Sequence, residues 1–267
     1  MRGTGALLID LDGTLYHGDR MIEGADALIL QLREADIPYL YVTNNSTAAP
    51  ETVAARLNAM SIPAEASDVC TSAQAAADYA AARHPGARVM VIGEAGLRQA
   101  ITDSGLVLSD EQPEVVVQGL DRSFSYDTAV QAVEAIRSGA AFIQTNPDLL
   151  LPTADGFRPG AGSVGAMLQA ASGVAPVVVG KPSSILMDYA LRRLGISAEQ
   201  AFVVGDNLAT DIAAGVRAGC ATALVLTGLT NAGNYEQLRS AAGVTPDRIF
   251  ADLAELSAYI SDTYRVG

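Results

Sequence analysis

The sequence predicts an α/β protein in which a doubly wound parallel sheet carries an inserted, smaller α/β domain. Three observations lead there. Short apolar runs alternate with longer, helix-patterned segments along most of the chain, the pattern of βα units on a parallel sheet. Acids, hydroxyls and one lysine recur just after several of these runs, where open parallel sheets collect ligands. A middle stretch repeats the alternation without that density of acids, and so reads as an insertion.

The first run spans residues 6–11. Ala6 to Ile9 is continuously apolar, as in a strand buried on both faces, and it ends in Asp10-Leu11-Asp12-Gly13-Thr14. An ionised carboxylate at the end of a buried strand is costly unless paired, and a divalent cation is a natural partner. Asp-Gly is also a common turn dipeptide, so the rest of the chain must decide. A helix at 25–35 leads to a second strand at 38–43, which ends in Val42-Thr43-Asn44-Asn45-Ser46, with a helix at 50–60 behind it. The alanine-rich stretch 73–82 is a helix that Thr71 or Ser72 can cap.

The second series has strands at 88–93, 115–119 and 141–144 and helices at 95–103, 126–138 and 163–171. Gly/Pro punctuation at His84-Pro85-Gly86 and Gly173-Val174-Ala175-Pro176 marks its edges. The expected division is therefore a discontinuous core of 1–82 and 177–267 around an inserted domain of 83–176. The first series then resumes with strands at 177–180, 201–205 and 221–226 and helices at 184–194 and 210–218.

Composition narrows the partners. A 267-residue chain with 49% hydrophobic residues can bury a full core. Thirty acidic residues against seventeen basic ones give a formal charge of −13, which argues against non-specific binding of nucleic acid or an anionic membrane. The two cysteines, Cys70 and Cys220, have no metal-ligand spacing and read as free thiols of a reducing compartment. The start, Met-Arg-Gly-Thr-Gly, lacks a leader pattern and no apolar stretch would span a bilayer. The expected location is the cytoplasm.

The strand-end residues suit phosphoryl transfer. Asp10 can attack phosphorus and split hydrolysis into two easier steps through an aspartyl-phosphate. Asp12 can protonate the leaving oxygen and then activate water. The Thr43 hydroxyl and the backbone beyond it, through Asn44 and Asn45, suit phosphate oxygens. Lys181, in Gly180-Lys181-Pro182, can neutralise the transferring group and Asp10. Mg²⁺ prefers oxygen ligands and keeps waters; Asp10, the Asp12 carbonyl and Asp206 can ligate it directly while Asp211 orients a bound water. Asp211 also reads as a helix-start acid, and the two roles are compatible. The loop at 14–21 looks like a short flap in which His17 reads as a solvent-exposed histidine rather than a base.

Asp10-Leu11-Asp12-Gly13-Thr14, Thr43, Lys181 and Gly205-Asp206-Asn207-Leu208-Ala209-Thr210-Asp211, in this order, resemble the four motifs of the haloacid dehalogenase superfamily. The likeness implies a Rossmann-like core and spans essentially the whole chain. An insertion between the second and third motifs, with Thr145-Asn146-Pro147-Asp148 and Pro159-Gly160-Ala161-Gly162, resembles the NagD-like, 4-nitrophenylphosphatase-type branch with an α/β cap. That resemblance implies a Mg²⁺-dependent phosphatase of small phosphomonoesters. It makes Asp10 nucleophile and ligand, Asp12 proton donor and carbonyl ligand, Thr43 and Asn44 phosphate contacts, Lys181 the neutralising lysine and Asp206 a ligand. The segment 145–163 resembles the cap segment facing the active site, where Asn146, Asp148 and Arg158 either meet the leaving group or shape the turn. The alternatives are phosphotransfer to another acceptor and a non-catalytic phosphometabolite sensor. Whether the chain forms a homodimer, for example through 123–141, stays open.

Overall fold

The computed structural model describes residues 5–153 and 156–263. The chain forms two compact units: Met1–Thr43 with Glu51–Cys70 and Lys181–Gly267, and Asn44–Pro50 with Thr71–Gly180.

The first unit is built on a six-stranded sheet in the order Arg248–Phe250, Ala221–Val225, Ala201–Gly205, Ala6–Ile9, Tyr39–Thr43 and Val69–Thr71. The central strand Ala6–Ile9 runs parallel to both neighbours, with Ile9 opposite Val204 on one side and Tyr41 on the other. Leu7, Leu8, Ile9 and Val204 are fully buried, because a strand central in a parallel sheet is covered on both faces. The helices Ala25–Glu34, Ile185–Leu194, Ala213–Ala218 and Leu253–Thr263 supply the cover through their apolar stripes, for instance Leu28, Ile29 and Leu32 of the first. The expected flap folds as an antiparallel hairpin of Tyr16–His17 with Arg20–Met21.

The second unit has its own five-stranded sheet, ordered Val177–Val178, Ala141–Gln144, Val115–Gln118, Arg88–Ile92 and Val107–Leu108, with every adjacent pair parallel. Met90, Ile92, Val116 and Phe142 from this sheet pack with Ala132, Ile136 and Leu168 from the helices Tyr126–Arg137 and Ala161–Ser172. Leu150–Thr153 and Gly156–Pro159 form a separate antiparallel hairpin. Ala154 and Asp155, within the segment expected to face the active site, lie outside the described residues.

The units divide at places other than the expected 82/83 and 176/177. Helix Ser72–Arg83 is part of the second unit, where it packs against helix Ala95–Asp103; its capping box, Thr71 with Gln74, starts it directly from the preceding strand. Val177–Val178 pairs with Ala141–Gln144 in the second sheet rather than extending the first. A short β-branched run is equally at home in either sheet, so the pattern alone does not assign it. The sheet gains Val69–Thr71 and Arg248–Phe250, three-residue strands too short to stand out as apolar runs.

Candidate active site

The first unit brings four of the expected chemistry-bearing side chains together at the carboxyl ends of its central strands. Asp10 follows Ile9, and its amide still donates to the Val204 carbonyl at 2.9 Å. Asp206 follows the adjoining strand Ala201–Gly205, so parallel register sets the two acids side by side. Asp211 comes from the wide π-helical turn Leu208–Ile212, where Asn207 N–H donates to its Oδ2 at 3.1 Å. Carboxylate oxygens of Asp10, Asp206 and Asp211 lie within 4.8 Å of one another.

Lys181 enters this cluster as its cation. Its Nζ pairs closely with Asp10 and lies 2.7 Å from Asp211 Oδ1 as an ion contact. It also donates to the Val42 carbonyl at 3.1 Å. Lys181, Asp206 and Asp211 are all buried, so these charges interact through protein rather than through water.

One ammonium does not balance three carboxylates. Burial, then the charge of Asp211, raises Asp10 well above the ordinary carboxylate range despite the pull of Lys181. Burial and then Asp211 likewise push Asp206 to about 6, against the hydrogen bond that Leu229 N–H donates at 2.6 Å. Burial alone would depress Lys181; Asp10 and Asp211 outweigh it and hold the ammonium above its usual value. With all three acids ionised the cluster carries two uncompensated negative charges on hard oxygen donors. That donor set fits a divalent cation such as Mg²⁺.

Two glycines let backbone approach Asp206 where a side chain would not fit. Gly13 has φ +85, and a Cβ there would lie 2.4 Å from Asp206 Oδ2. A Cβ on Gly228 would lie 2.0 Å from the same oxygen. The loop 227–229 thus closes over the cluster, with Thr227 Oγ1 donating to the Gly13 carbonyl at 2.8 Å. The fully buried Thr14 hydroxyl sits 3.5 Å from both Asp10 Oδ2 and Asp206 Oδ1.

Asp12 differs from the other acids: it is exposed. Its Oδ2 accepts a 2.9 Å hydrogen bond from the buried Tyr16 hydroxyl. Burial and then the charge of Asp12 keep Tyr16 protonated far above the usual phenol range. Thr43 is buried at the end of strand Tyr39–Thr43, two residues beyond the partner of Ile9. His17 is exposed, with Nε2 2.8 Å from the Thr227 carbonyl, and stands outside the cluster.

The remaining expected contacts belong to the second unit. Asn44 Nδ2 donates to Asp148 Oδ2 at 3.2 Å, and Asn146 Nδ2 donates to the Asn44 carbonyl at 2.9 Å. Asp148 N–H returns to Asn146 Oδ1 at 3.2 Å, so Asn146 also holds the turn. Asn45 Oδ1 accepts both the amide and the hydroxyl of Thr47 at 2.8 Å. Arg158 is exposed on the hairpin, opposite Leu151.

Sequence reasoning missed Tyr16, Thr14 and the loop 227–229. Thr14 was visible as part of the Asp-Gly-Thr run, but its reach to two acids was not. The loop, Thr227-Gly228-Leu229, follows strand Ala221–Val225 without any charged residue to mark it.

A family model described as "Haloacid dehalogenase-like hydrolase" matches residues 7–107, and one described as "HAD-hyrolase-like" matches 178–256. The chain belongs to the haloacid dehalogenase-like hydrolases, in their NagD-like branch. It is 47% identical over 223 residues to the 5'-nucleotidase YutF of Bacillus subtilis, covering 84% of this chain and 87% of that protein. It is 42% identical to an acid sugar phosphatase of Staphylococcus saprophyticus, over 96% and 98% of the two chains. The solved structure of a p-nitrophenyl phosphatase from Archaeoglobus fulgidus superposes with a TM-score of 0.91 at 32% identity, over 96% of this chain and 99% of that one. No helix among the described residues is long and apolar enough to cross a membrane.

Proposed function

We propose that this protein is a Mg²⁺-dependent phosphatase that hydrolyses small phosphomonoesters through an aspartyl-phosphate on Asp10. The class, a phosphoric monoester hydrolase, has the support of the phosphatase relatives. The observation that carries the mechanism is the pairing of a partly buried carboxylate, Asp10, with a buried lysine, two residues before an exposed second acid, Asp12. Binding phosphate alone needs no such acid.

In this reading Asp10 attacks phosphorus, and the bond to the leaving oxygen breaks as that oxygen takes a proton from Asp12. Asp12, now ionised, removes a proton from water, which attacks the aspartyl-phosphate and releases inorganic phosphate and free Asp10. Lys181 holds Asp10 in place and offsets charge on the phosphoryl oxygens. Thr43, with Asn44 and Asn45, contacts those oxygens. Asp10, the Asp12 carbonyl, Asp206 and Asp211 would hold Mg²⁺, which when bound supplies charge neutralisation at the phosphate. Asn146, Asp148 and Arg158 are proposed to influence the choice of leaving group among sugar phosphates, glycerol phosphate, nucleoside monophosphates and similar esters. The cytoplasm is the proposed location.

The test is inorganic phosphate release from p-nitrophenyl phosphate with Mg²⁺, with EDTA, and by folded Asp10→Asn. Metal-dependent release that Asp10→Asn abolishes is expected. Alcohol release without equal phosphate would favour phosphotransfer, and binding without turnover of any phosphomonoester would favour a sensor.

A further inference from the structure

Asp12 is the exposed member of the constellation, and a carboxylate facing solvent has a freely turning side chain unless something orients it. The hairpin that follows provides that something. Gly13 N–H donates to the Tyr16 carbonyl at 2.8 Å, and Leu15 N–H to the Leu11 carbonyl at 2.8 Å, so the chain turns back within one residue of Asp12. The turn delivers the Tyr16 hydroxyl to Asp12 Oδ2 at 2.9 Å. The ring itself is only 3% exposed, and the Arg56 guanidinium lies 4.8 Å above its centroid. Arg56 also donates to the Gly18 carbonyl at the hairpin tip at 2.8 Å and pairs with Asp19 at 3.4 Å. A buried phenol therefore occupies one oxygen of an exposed acid.

We propose that Tyr16 is a positioning residue for the proton-transfer step: by binding Oδ2 it leaves Oδ1 of Asp12 to carry the proton to the leaving oxygen. Tyr16 keeps its own proton throughout; the proton that moves is that of Asp12, as the phosphorus–oxygen bond breaks and Asp10 bonds to phosphorus. This rests on the reading of Asp12 as general acid. An oriented acid contributes most when the leaving group is a poor one, because a stabilised phenolate departs with little help. The expected signature of Tyr16 is thus a dependence on leaving group rather than a uniform loss.

The experiment measures kcat/KM, which reports events up to departure of the leaving group, for p-nitrophenyl phosphate, phenyl phosphate and a primary alkyl phosphate. The proteins are wild type, Tyr16→Phe, Asp12→Asn and the double variant, each with its melting curve and circular dichroism. Tyr16→Phe should lose about tenfold more on the alkyl ester than on the p-nitrophenyl ester, a part of the 10²–10⁴ that general acid catalysis supplies. In the Asp12→Asn background it should cost nothing further, since its effect acts through that carboxylate. Equal loss on all three esters, no loss on any, or a further loss on top of Asp12→Asn would each overturn the proposal. Should Tyr16→Phe fail to fold, Arg56→Lys loosens the stack without touching the phenol. It should show the same ordering at smaller amplitude, and equal losses there overturn the proposal as well. If Asp12→Asn itself discriminates no further against the alkyl ester, the reading of Asp12 falls and takes this proposal with it. If wild type releases no phosphate, the phosphatase reading has failed first.

Discussion

Asp206→Asn should make the metal-free protein more stable at neutral pH, although it removes a proposed metal ligand. Asp206 is buried in a cluster of three carboxylates, and burial followed by the charge of Asp211 raises it from 3.8 to about 6. A folded-state value above the unfolded one means that the folded protein holds the proton more tightly. That stabilisation is complete below about pH 4 and is lost as pH rises through about 6. The interval is about two pH units, and at about 1.4 kcal/mol for each the loss reaches about 3 kcal/mol. Asparagine carries no charge to bury and keeps an oxygen for Leu229 N–H, which now donates at 2.6 Å. The variant and wild type should therefore match near pH 4, and the variant should lead by about 3 kcal/mol, roughly 6 °C in melting temperature, by pH 8. Calorimetric melting in EDTA across this range reads the difference. Magnesium should reverse the order, because wild type gains more from a ligand that binds only the folded state. A variant less stable than wild type at pH 8 in EDTA, or a difference that does not change between pH 4 and 8, would refute this account of the cluster.

Three further outcomes follow from the same geometry. Lys181→Met strips the cation from Asp10 and Asp211 and should cost about 3–5 kcal/mol in EDTA at pH 8, recovering at lower pH as Asp10, already raised by burial, takes up a proton; urea titration reads it, and a stability unchanged at pH 8 would contradict it. Arg158→Ala should change the ranking of substrates more than the rate on p-nitrophenyl phosphate, whereas Asp148→Ala should also weaken the second unit by removing the acceptor of Asn44; an equal loss on every ester would count against a selectivity role. Burial raises the Cys70 thiol to about 12 and the Cys220 thiol to about 11, so a thiol reagent should label both only after denaturation, and fast labelling of the native protein would show this packing to be wrong.

Asp10, Lys181 and Asp206 stood out in the sequence because each follows an apolar run that would exclude an unpaired charge, whereas Asp211 stood out only as a helix-start acid within the motif that begins at Gly205. The parallel α/β class was legible for the same reason: continuous apolar runs such as Ala6–Ile9 and Ala201–Gly205 need cover on both faces. Assignment to a sheet was not. Val177–Val178 ends three residues before Lys181, yet its partner is Ala141–Gln144, a choice set by tertiary packing. The alanine-rich stretch 73–82 was legible as a helix with Thr71 or Ser72 as cap, and Thr71 is the cap of the observed Ser72–Arg83, but alanine offers no large side chain to declare its neighbours. Tyr16 was hidden because its function depends on a turn that folds it back onto Asp12, and a tyrosine in a short loop otherwise reads as filler. The loop 227–229 was hidden because backbone amides and glycine, not charged side chains, make its contacts with Asp206.

Asp10 is proposed to carry the phosphoryl group between substrate and water. Rapid acid quenching during turnover of a ³²P-labelled phosphomonoester with Mg²⁺, followed by peptide mapping, tests it directly. Label is expected on the peptide containing Asp10, chased by unlabelled substrate and absent from folded Asp10→Asn. Label on another residue, or undiminished turnover by Asp10→Asn, would contradict it.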